Sequence, residues 1–247
     1  MILDSIVAEK VREVAELKSP RTSLFHALSE PGLSVIAEIK KASPSRGIIC
    51  EHFDPQHQME VYEKGGAAAV SVLTDRTFFQ GSGFILRELR DKAQLPLLRK
   101  DFLIEPIQVD ESYFLGADAV LLIARILEGP GLRNMLERVY SLGMEALVEI
   151  HNEDDLHLVL ETPAKIIGIN NRDLEDFKVD LSVSERLIRE MERLGARGEK
   201  RIVSESGIAS REQAARLEDA GVDGILVGES LMRSPDPAGL IAVLKGS

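Results

Sequence analysis

The chain contains 247 residues, of which 44% are hydrophobic and 29% are charged, and its net charge is −11 at pH 7. This composition is typical of a globular protein and excludes disordered and fibrous classes. The acidic balance argues against general binding to nucleic acid or to anionic membranes, although a local basic pocket for a small anion stays possible. The single cysteine, Cys50, excludes an internal disulfide framework and a cysteine-built zinc site.

The first thirty residues predict two helices that precede the main domain. Asp4 is placed to cap the first helix. The apolar residues of that helix share roughly one face: Ile6, Val7, Val11, Val14 and Leu17. Ser19-Pro20 ends it, and a second short helix is predicted from Ser23 to Ser29. Charges near the N-terminus interrupt any signal-peptide core, and no apolar run is long enough to span a membrane, so we expect a soluble cytoplasmic protein.

Eight short aliphatic runs follow, separated by stretches with helical periodicity. The runs are Leu33–Lys40, Ala67–Thr74, Pro96–Phe102, Ala119–Ala124, Glu145–Ile150, Ile166–Asn171, Arg201–Ser206 and Gly224–Glu229. The helical stretches include Pro55–Lys64, Ser82–Ala93, Glu105–Leu115, Gly131–Leu142, Glu153–Glu161, Ser182–Leu194 and Arg211–Ala220. Strands that are hydrophobic on both faces and alternate with helices predict a (β/α)8 TIM barrel. We expect one barrel domain over residues 1–247, with residues 1–30 as a helical extension.

The alternative fold is an open doubly wound sheet. That fold carries a glycine-rich phosphate loop after its first strand. Here the first predicted strand ends instead in Lys40-Lys41-Ala42-Ser43-Pro44-Ser45, and no glycine-rich dinucleotide or nucleotide motif follows any strand. The sequence therefore favours the barrel.

Polar residues stand at the ends of five predicted strands. Side chains alternate between the two faces of a strand, and barrel active sites lie at the carboxyl ends of the strands. By this parity, seven polar residues share the barrel mouth: Glu38, Lys40, Lys100, Glu149, Asn170, Arg172 and Glu205. Burying such charges is costly unless they pair or meet a ligand, and a mixed cluster can tune pKa values for acid–base chemistry. We therefore expect a functional site at the mouth.

The loops after the seventh and eighth predicted strands indicate a phosphate site, a position that many TIM barrels use. The candidate donors are Ser206, Gly207, Gly228 and Ser230. Their glycines let backbone N–H groups approach an anion closely. Ser43 and Arg46, after the first strand, are placed to close over the same anion. Because Glu229 would repel a phosphate, we expect its side chain to point away.

The histidines and the cysteine show no metal or nucleophile pattern. The five histidines are His26, His52, His57, His151 and His157. None of them pairs at a metal-ligand spacing. Cys50 lies near His52 without a visible third group to orient the pair, so we interpret it as structural. We expect no metal and no cofactor.

The segment Ile36-Ala37-Glu38-Ile39-Lys40-Lys41-Ala42-Ser43-Pro44-Ser45 resembles the signature of the indole-3-glycerol phosphate synthase family. The similarity runs the whole length of the chain. It includes the N-terminal Ile2–Val7, Leu97–Phe102, Ala146–Glu149, Gly168–Leu174, Ser204–Ile208 and Gly228–Met232. The resemblance implies a carboxy-lyase of tryptophan biosynthesis without cofactor or metal. Its substrate would be 1-(2-carboxyphenylamino)-1-deoxyribulose 5-phosphate, closed to indole-3-glycerol phosphate with release of CO₂ and water.

The resemblance also implies individual roles. Lys100 would be the general acid that protonates the substrate carbonyl, Glu149 and Glu38 would serve the proton transfers of dehydration, and Lys40 would be an acid or charge partner. Two residues would orient the substrate: Asn170 and Glu205. The positions that match phosphate-binding or nearby residues are Ser43, Arg172, Gly207, Gly228 and Ser230. Some family members carry a further lysine where this chain has Ala42, which bears on how the substrate carboxylate is steered.

Further expectations concern the walls of the site, the pKa of Lys100 and the binding partners. An apolar wall for the aromatic ring is expected from Phe102, Leu121, Ile123 and the N-terminal helices, which in the family cover the mouth. We expect burial or cationic neighbours to lower the pKa of Lys100 toward neutrality, so that it can act as an acid. The expected partner is a small sugar phosphate, with no nucleic acid and no membrane, and the chain is expected to be a monomer or a weak homodimer.

Three other functions stay open from the residues. In a Schiff-base aldolase, Lys100 or Lys40 would attack a carbonyl directly. The isomerase one step upstream in the same pathway shares the barrel but would need a catalytic cysteine near the end of the first strand, where Lys40 stands. A non-catalytic phosphate-binding barrel gives no reason for both Glu38 and Glu149 at the mouth.

Overall fold

A computed structural model describes residues 2–17, 22–44, 47–173 and 177–246, and within them eight parallel strands close into a barrel. The strands are β1 (Ser34–Ile39), β2 (Ala69–Leu73), β3 (Leu97–Lys100), β4 (Ala119–Ile123), β5 (Glu145–Ile150), β6 (Ile166–Asn170), β7 (Arg201–Glu205) and β8 (Gly224–Val227). Each strand pairs with the next along the chain, and β8 pairs with β1. The closure confirms the predicted (β/α)8 barrel and excludes the open sheet.

Helices lie between the strands and at both ends of the described chain. They are α1 (Ile2–Leu17), α2 (Leu24–Ala27), α3 (Pro55–Lys64), α4 (Gly83–Arg90), α5 (Pro106–Leu115), α6 (Ala124–Ser141), α7 (Glu153–Leu160), α8 (Ser182–Arg193), α9 (Arg211–Asp219), α10 (Glu229–Arg233) and α11 (Pro237–Lys245). Among the residues described, none of these helices is long and apolar enough to cross a membrane.

Two local predictions need correction, and a third is not tested. Helix α6 begins at Ala124, well before the predicted Gly131, because two helical pieces join across a kink at Glu128, two residues before Pro130. Helix α1 begins at Ile2, so Asp4 lies within its first turn instead of capping it. The predicted helix stop at Ser19-Pro20 lies outside the described residues.

A short hairpin after β1 escaped the sequence analysis. Ala42–Ser43 pairs antiparallel with Gly47–Ile48, and the N–H of Ile49 donates to the carbonyl of Lys41 at 2.8 Å. Two-residue strands carry too little periodicity to be recognised from sequence. The hairpin holds Ser43 beside the barrel mouth, whereas Arg46, predicted to close over a phosphate, lies outside the described residues.

Apolar side chains fill the barrel interior below the charged ends of the strands. Ile36, Leu98, Leu147 and Val203 are fully buried and belong to one cluster. Each lies two residues before a polar residue that the parity argument placed at the mouth. The alternation therefore gives an apolar floor beneath a charged layer, as predicted.

Helix α2 closes the amino end of the barrel. The Ser23 hydroxyl donates to Oε1 of Glu145 at 2.7 Å and the Phe25 N–H donates to its Oε2 at 2.9 Å, and Glu145 is the first residue of β5. Leu24 and Leu28 are buried against the apolar interior. The prediction that the N-terminal helices cover the mouth is therefore wrong for α2, which plugs the opposite end because apolar side chains would otherwise be exposed there.

Replacement of Glu145 tests this placement. Glu145→Ala leaves two partly buried donors without their acceptor and is expected to lower the free energy of unfolding by about 1–3 kcal/mol, the net contribution of two hydrogen bonds, while kcat stays unchanged. Urea denaturation and a turnover assay measure the two effects, with Glu192→Ala on the exposed face of α8 as the matched control. Loss of activity at unchanged stability would contradict the placement of α2 at the end opposite the site.

Candidate active site

One cavity of about 730 Å³ opens at the carboxyl ends of the strands. All twelve residues that the sequence assigned to catalysis or binding line it: Glu38, Lys40, Ser43, Lys100, Glu149, Asn170, Arg172, Glu205, Ser206, Gly207, Gly228 and Ser230. Strand parity thus predicted which side chains meet. Lining a cavity does not by itself assign a role to any of them.

Lys100 occupies the centre of the charged layer. Its Nζ lies 3.4 Å from Oε2 of Glu149 and 3.3 Å from Oε2 of Glu205, and both carboxylates are almost completely buried. The three residues come from β3, β5 and β7. Alternate strands of a barrel contribute side chains to the same interior layer, which explains why these three meet.

The neighbours of Lys100 on the outer face of β3 fix its orientation. Buried Arg99 donates from Nε to Thr74 Oγ1 at 3.0 Å and from Nη1 to Ser112 Oγ at 3.0 Å. It also pairs with Asp101 across a distance of 3.0 Å. Because Arg99 is tied to the outer layer, the alternation of side chains along the strand points Lys100 toward the cavity.

The pKa of Lys100 is shifted in the direction opposite to the one expected. Burial alone would lower this pKa, but the carboxylates of Glu205, Glu149 and Glu38 outweigh burial and raise it above its ordinary value. The neighbours are anionic, so the expected shift toward neutrality is wrong for the free protein. Lys100 is a cation that can donate a proton or hydrogen bond, whereas a Schiff-base nucleophile must be a neutral amine.

The pKa values of Glu149 and Glu205 are shifted in opposite directions. Burial would raise the pKa of Glu149, but Lys100, His151 and Asn170 together lower it. Burial raises the pKa of Glu205, and the nearby Glu149 carboxylate adds to this increase against the attraction of Lys100. Two titratable groups whose environments separate their pKa values can divide the acid and base tasks of one reaction.

Glycines on neighbouring strands provide space for two of the carboxylates. A Cβ on Gly168 would lie only 2.2 Å from Oε1 of Glu205. A Cβ on Gly228 would lie 2.3 Å from Oε1 of Glu38 and 3.1 Å from Nζ of Lys40. Glu38 and Lys40 form an ion pair of 2.6 Å over this glycine. The absent side chains therefore allow the buried charges to occupy the mouth.

Gly228→Ala tests the packing over this glycine. The added methyl group is expected to displace Glu38 and Lys40 and to lower kcat/KM by about 10²-fold, since a displacement of about 1 Å in an active site can cost that much. Steady-state kinetics on the purified variant measure the loss. The control is Gly131→Ala on α6, whose new methyl group meets Leu127 Cβ at 4.0 Å. Full activity in Gly228→Ala would show that the ion pair does not need this position.

Asn170 connects Glu149 to the loop after β6. Its amide Nδ2 donates to Oε1 of Glu149 at 3.2 Å, and its Oδ1 accepts from the N–H of Arg172 at 3.0 Å. The Arg172 guanidinium donates to the carbonyl of Phe177 at 3.1 Å. Arg172 therefore lines the cavity while its guanidinium is bound to the backbone of Phe177.

The loops after β7 and β8 are joined at the proposed anion end. Ser206 and Gly207 both have left-handed backbone, with φ of 70° and 82°, and the Ser230 hydroxyl donates to the carbonyl of Ile208 at 3.1 Å. Buried Asn171, which the sequence analysis missed, donates to the carbonyls of Glu205 and Ser206 at 2.8 Å and 3.3 Å. The Asn171 amide thereby holds the backbone of the turn that follows β7.

Glu229 and Arg233 are a pair of opposite charges among the residues that line this end of the cavity. Oε1 of Glu229 lies 3.5 Å from Nε of Arg233. Arg233 was not predicted, although its position one helical turn after Glu229 is a signal that pairing was possible. The basic groups facing the cavity are therefore more numerous than predicted.

The apolar wall is broader than the sequence indicated. Phe102, Leu121 and Ile123 line the cavity as expected, and Phe79 joins them with its ring centroid 6.3 Å from that of Phe102. Loop phenylalanines carry no periodic signal, so Phe79 was not foreseen. The apolar wall and the charged layer together suit a ligand that is aromatic on one side and ionic elsewhere.

The fold and the cavity define the class of the protein: a (β/α)8-barrel enzyme with an acid–base cluster at the carboxyl ends of its strands. Residues 3–244 match the model of the indole-3-glycerol phosphate synthase family. Indole-3-glycerol phosphate synthase of Petrotoga mobilis is 51% identical over 237 residues, covering 96% of this chain and 94% of its own. The enzymes of that name from Aquifex aeolicus and Shouchella clausii are 46% and 42% identical, covering 93% and 95% of this chain and 89% and 94% of theirs.

The chain therefore belongs to the indole-3-glycerol phosphate synthase family, which are carboxy-lyases of tryptophan biosynthesis. Among solved structures, a crystal structure of 3-hexulose-6-phosphate synthase is similar, with a TM-score of 0.64 and 12% identity over 87% of this chain and 99% of that one. At this identity the likeness concerns the barrel fold alone.

Proposed function

We propose that this protein closes the ring of 1-(2-carboxyphenylamino)-1-deoxyribulose 5-phosphate by general acid–base catalysis at the barrel mouth, giving indole-3-glycerol phosphate, CO₂ and water. The observation that carries the proposal is the Lys100 ammonium group between two buried carboxylates whose pKa values are shifted in opposite directions. Ring closure needs a polarised carbonyl, and water loss needs an acid and a base together.

Lys100 acts first in this proposal. It donates its proton to the substrate keto oxygen while the ring carbon that bears the carboxylate attacks the keto carbon. Loss of CO₂ then restores the aromatic ring. The raised pKa of Lys100 keeps the donor charged before substrate binds, and the apolar wall supplies the poorly hydrated surroundings that decarboxylation needs.

Dehydration follows with the carboxylates. Glu149 is ionised in the free protein because its pKa is lowered, so it is the base that removes a proton from the intermediate. Glu38 assists these transfers, and its partner Lys40 supplies charge or a proton to the leaving hydroxyl group. Asn170 and Glu205 orient the substrate between them.

The proposal also assigns binding residues to the anionic groups of the substrate. The phosphate lies at Ser206, Gly207, Gly228 and Ser230, with Ser43 and Arg172 closing over it. Lys40 and Arg172 supply countercharge, and Arg233 adds to it at the rim. Four basic and five acidic residues line the cavity, so the anionic groups of the substrate are held by individually placed cations and backbone N–H groups and not by a net positive charge.

The remaining parts of the proposal concern the whole molecule. Helix α1 covers the mouth during turnover, supported by an apolar face that is exposed in the structure at Ile6, Val7 and Val11. The protein acts in the cytoplasm as a monomer or weak homodimer on a small sugar phosphate, without nucleic acid, membrane, cofactor or metal. Membership of a biosynthetic family supports this setting.

Incubation of the purified protein with the proposed substrate tests the function. The chain contains no tryptophan, so the fluorescence of an indole product appears over a low background. We expect indole fluorescence together with one CO₂ per product. Binding of the substrate without turnover would instead support a non-catalytic phosphate-binding barrel.

Borohydride treatment during turnover separates the acid–base mechanism from a Schiff-base mechanism. We expect no reduced adduct on Lys100 or Lys40 by mass spectrometry, because the ammonium form of Lys100 is stabilised by two carboxylates. A covalent adduct on Lys100 would overturn the role of this residue as an acid.

A further inference from the structure

His151 lies beside the carboxylate that the proposed mechanism uses as its base. Its side chain is only 7% exposed, and its Nε2 is 3.3 Å from Oε1 of Glu149. Its Nδ1 is 3.6 Å from Oδ2 of Asp155 on α7, and the backbone N–H of His151 donates to the same oxygen at 2.9 Å. The ring therefore lies between two carboxylates at ion-pair distance, and neither of its buried nitrogens has another hydrogen-bond partner within the described part of the chain.

This arrangement favours one protonation state of the ring. A neutral imidazole carries one N–H group and one lone pair, so one of its nitrogens would present a lone pair to an anion. An imidazolium presents an N–H group to both carboxylates. Burial would lower the pKa of His151, but Asp155 and Glu149 outweigh burial and raise it to about 9.

The other charged groups around the ring act through these two carboxylates. Lys100 on β3 attracts Glu149, and Arg125 at the start of α6 attracts Asp155. The Glu149 carboxylate thus accepts from Lys100 at Oε2 and from Asn170 at Oε1, and Nε2 of His151 lies 3.3 Å from the same Oε1. Of these, His151 is the one that does not line the cavity.

We propose that His151 is a positioning residue, an imidazolium clamped by Asp155 that orients the Glu149 carboxylate and keeps it ionised for proton abstraction. The inference rests on the proposed function of Glu149 as a base. This chain of contacts runs from Glu149 in the cavity through His151 to Asp155 on α7, so Asp155 indirectly supports the Glu149 carboxylate.

His151→Gln is the first test, because glutamine keeps a polar side chain but removes the charge. We expect kcat to fall about ten- to a hundredfold, less than the ~10²–10⁴-fold effect of losing a general acid or base itself. KM should stay nearly unchanged, and the acidic limb of the kcat/KM profile should move upward by at least about one pH unit, since a cation within about 4–6 Å lowers a carboxyl pKa by about 1–3 units. Asp155→Asn should shift the limb in the same direction by less.

The matched control is His157→Gln, an exposed histidine on the same helix as Asp155. Its kcat and pH profile should equal those of the unaltered protein. An unchanged acidic limb in a folded His151→Gln variant would overturn the inference. So would a loss of activity through KM alone.

NMR titration of the histidine rings tests the contact without any substrate. We expect His151 to remain protonated at pH 7, with a titration midpoint near 9, and Glu149→Gln to lower that midpoint by at least about one unit. A neutral ring at pH 7, or a midpoint unaffected by Glu149→Gln, would contradict the inference even if the protein converts the substrate. If the protein fails to convert it, the proposed function fails while the NMR result still decides the contact.

Discussion

Lys100→Ala is expected to lower kcat by about 10³-fold or more, because it removes both the proton donor and the cation that meets the developing charge on the keto oxygen. The deletion leaves the Glu149 and Glu205 carboxylates facing each other without the ammonium group between them. We expect one of them to take up a proton, so that the barrel stays folded. Steady-state kinetics and circular dichroism measure the two effects.

The control for this variant is Lys165→Ala, an exposed lysine just before the amino end of β6. It removes the same charge from the opposite end of the barrel and should leave kcat unchanged. A fully active Lys100→Ala variant would refute the assignment of Lys100 as the acid. A variant that is inactive because it is unfolded would be recognised by its circular dichroism, and Lys100→Met, which keeps the length of the side chain, would then take its place.

Glu149→Gln is expected to lower kcat by about 10²–10⁴-fold, the range that a general base contributes. Glutamine keeps the shape of the side chain and can still accept from Asn170, so substrate binding should change little. The step that suffers is dehydration, which needs the charge. Single-turnover experiments that follow CO₂ and indole separately measure the effect, and CO₂ should appear before indole.

Glu153→Gln on α7 is the matched control, since this exposed carboxylate pairs with Arg186 on the outer surface. Its kinetics should equal those of the unaltered protein. If Glu149→Gln weakened substrate binding and left the rate of the bound complex unchanged, Glu149 would be a binding group and not a base.

The barrel fold and the residues that line its mouth could be predicted from the sequence, because both depend on short-range periodicity. The pairs Ile36 and Glu38, or Leu147 and Glu149, differ by two positions, so each pair must share a face of its strand. That rule alone placed the charged residues in one layer over an apolar floor. The strand boundaries were slightly too long, since sequence gives no sign of where a strand leaves the sheet.

The missed features depend on contacts between distant segments. The sequence of helix α2 indicates a short amphipathic helix but not which end of the barrel it covers. Its position at the amino end is set by hydrogen bonds to Glu145. The direction of the pKa shift of Lys100 depends on Glu205 and Glu149, which come from other strands and whose combined charge outweighs burial. His151 is the exception, because its contacts with Glu149 and Asp155 are local in sequence. They were missed because the segment turns from a strand into a helix there, so neither periodicity indicates which side chains meet.

A crystal structure of the Lys100→Ala variant with the arylamino-ribulose phosphate bound tests the account most directly. The account predicts the keto oxygen of the substrate where the ammonium group has been removed, near Glu149 and Glu205. It also predicts the phosphate at the backbone N–H groups of Gly207 and Gly228. A substrate bound with its keto carbon away from Glu149, or with its phosphate outside the loops after β7 and β8, would contradict the account.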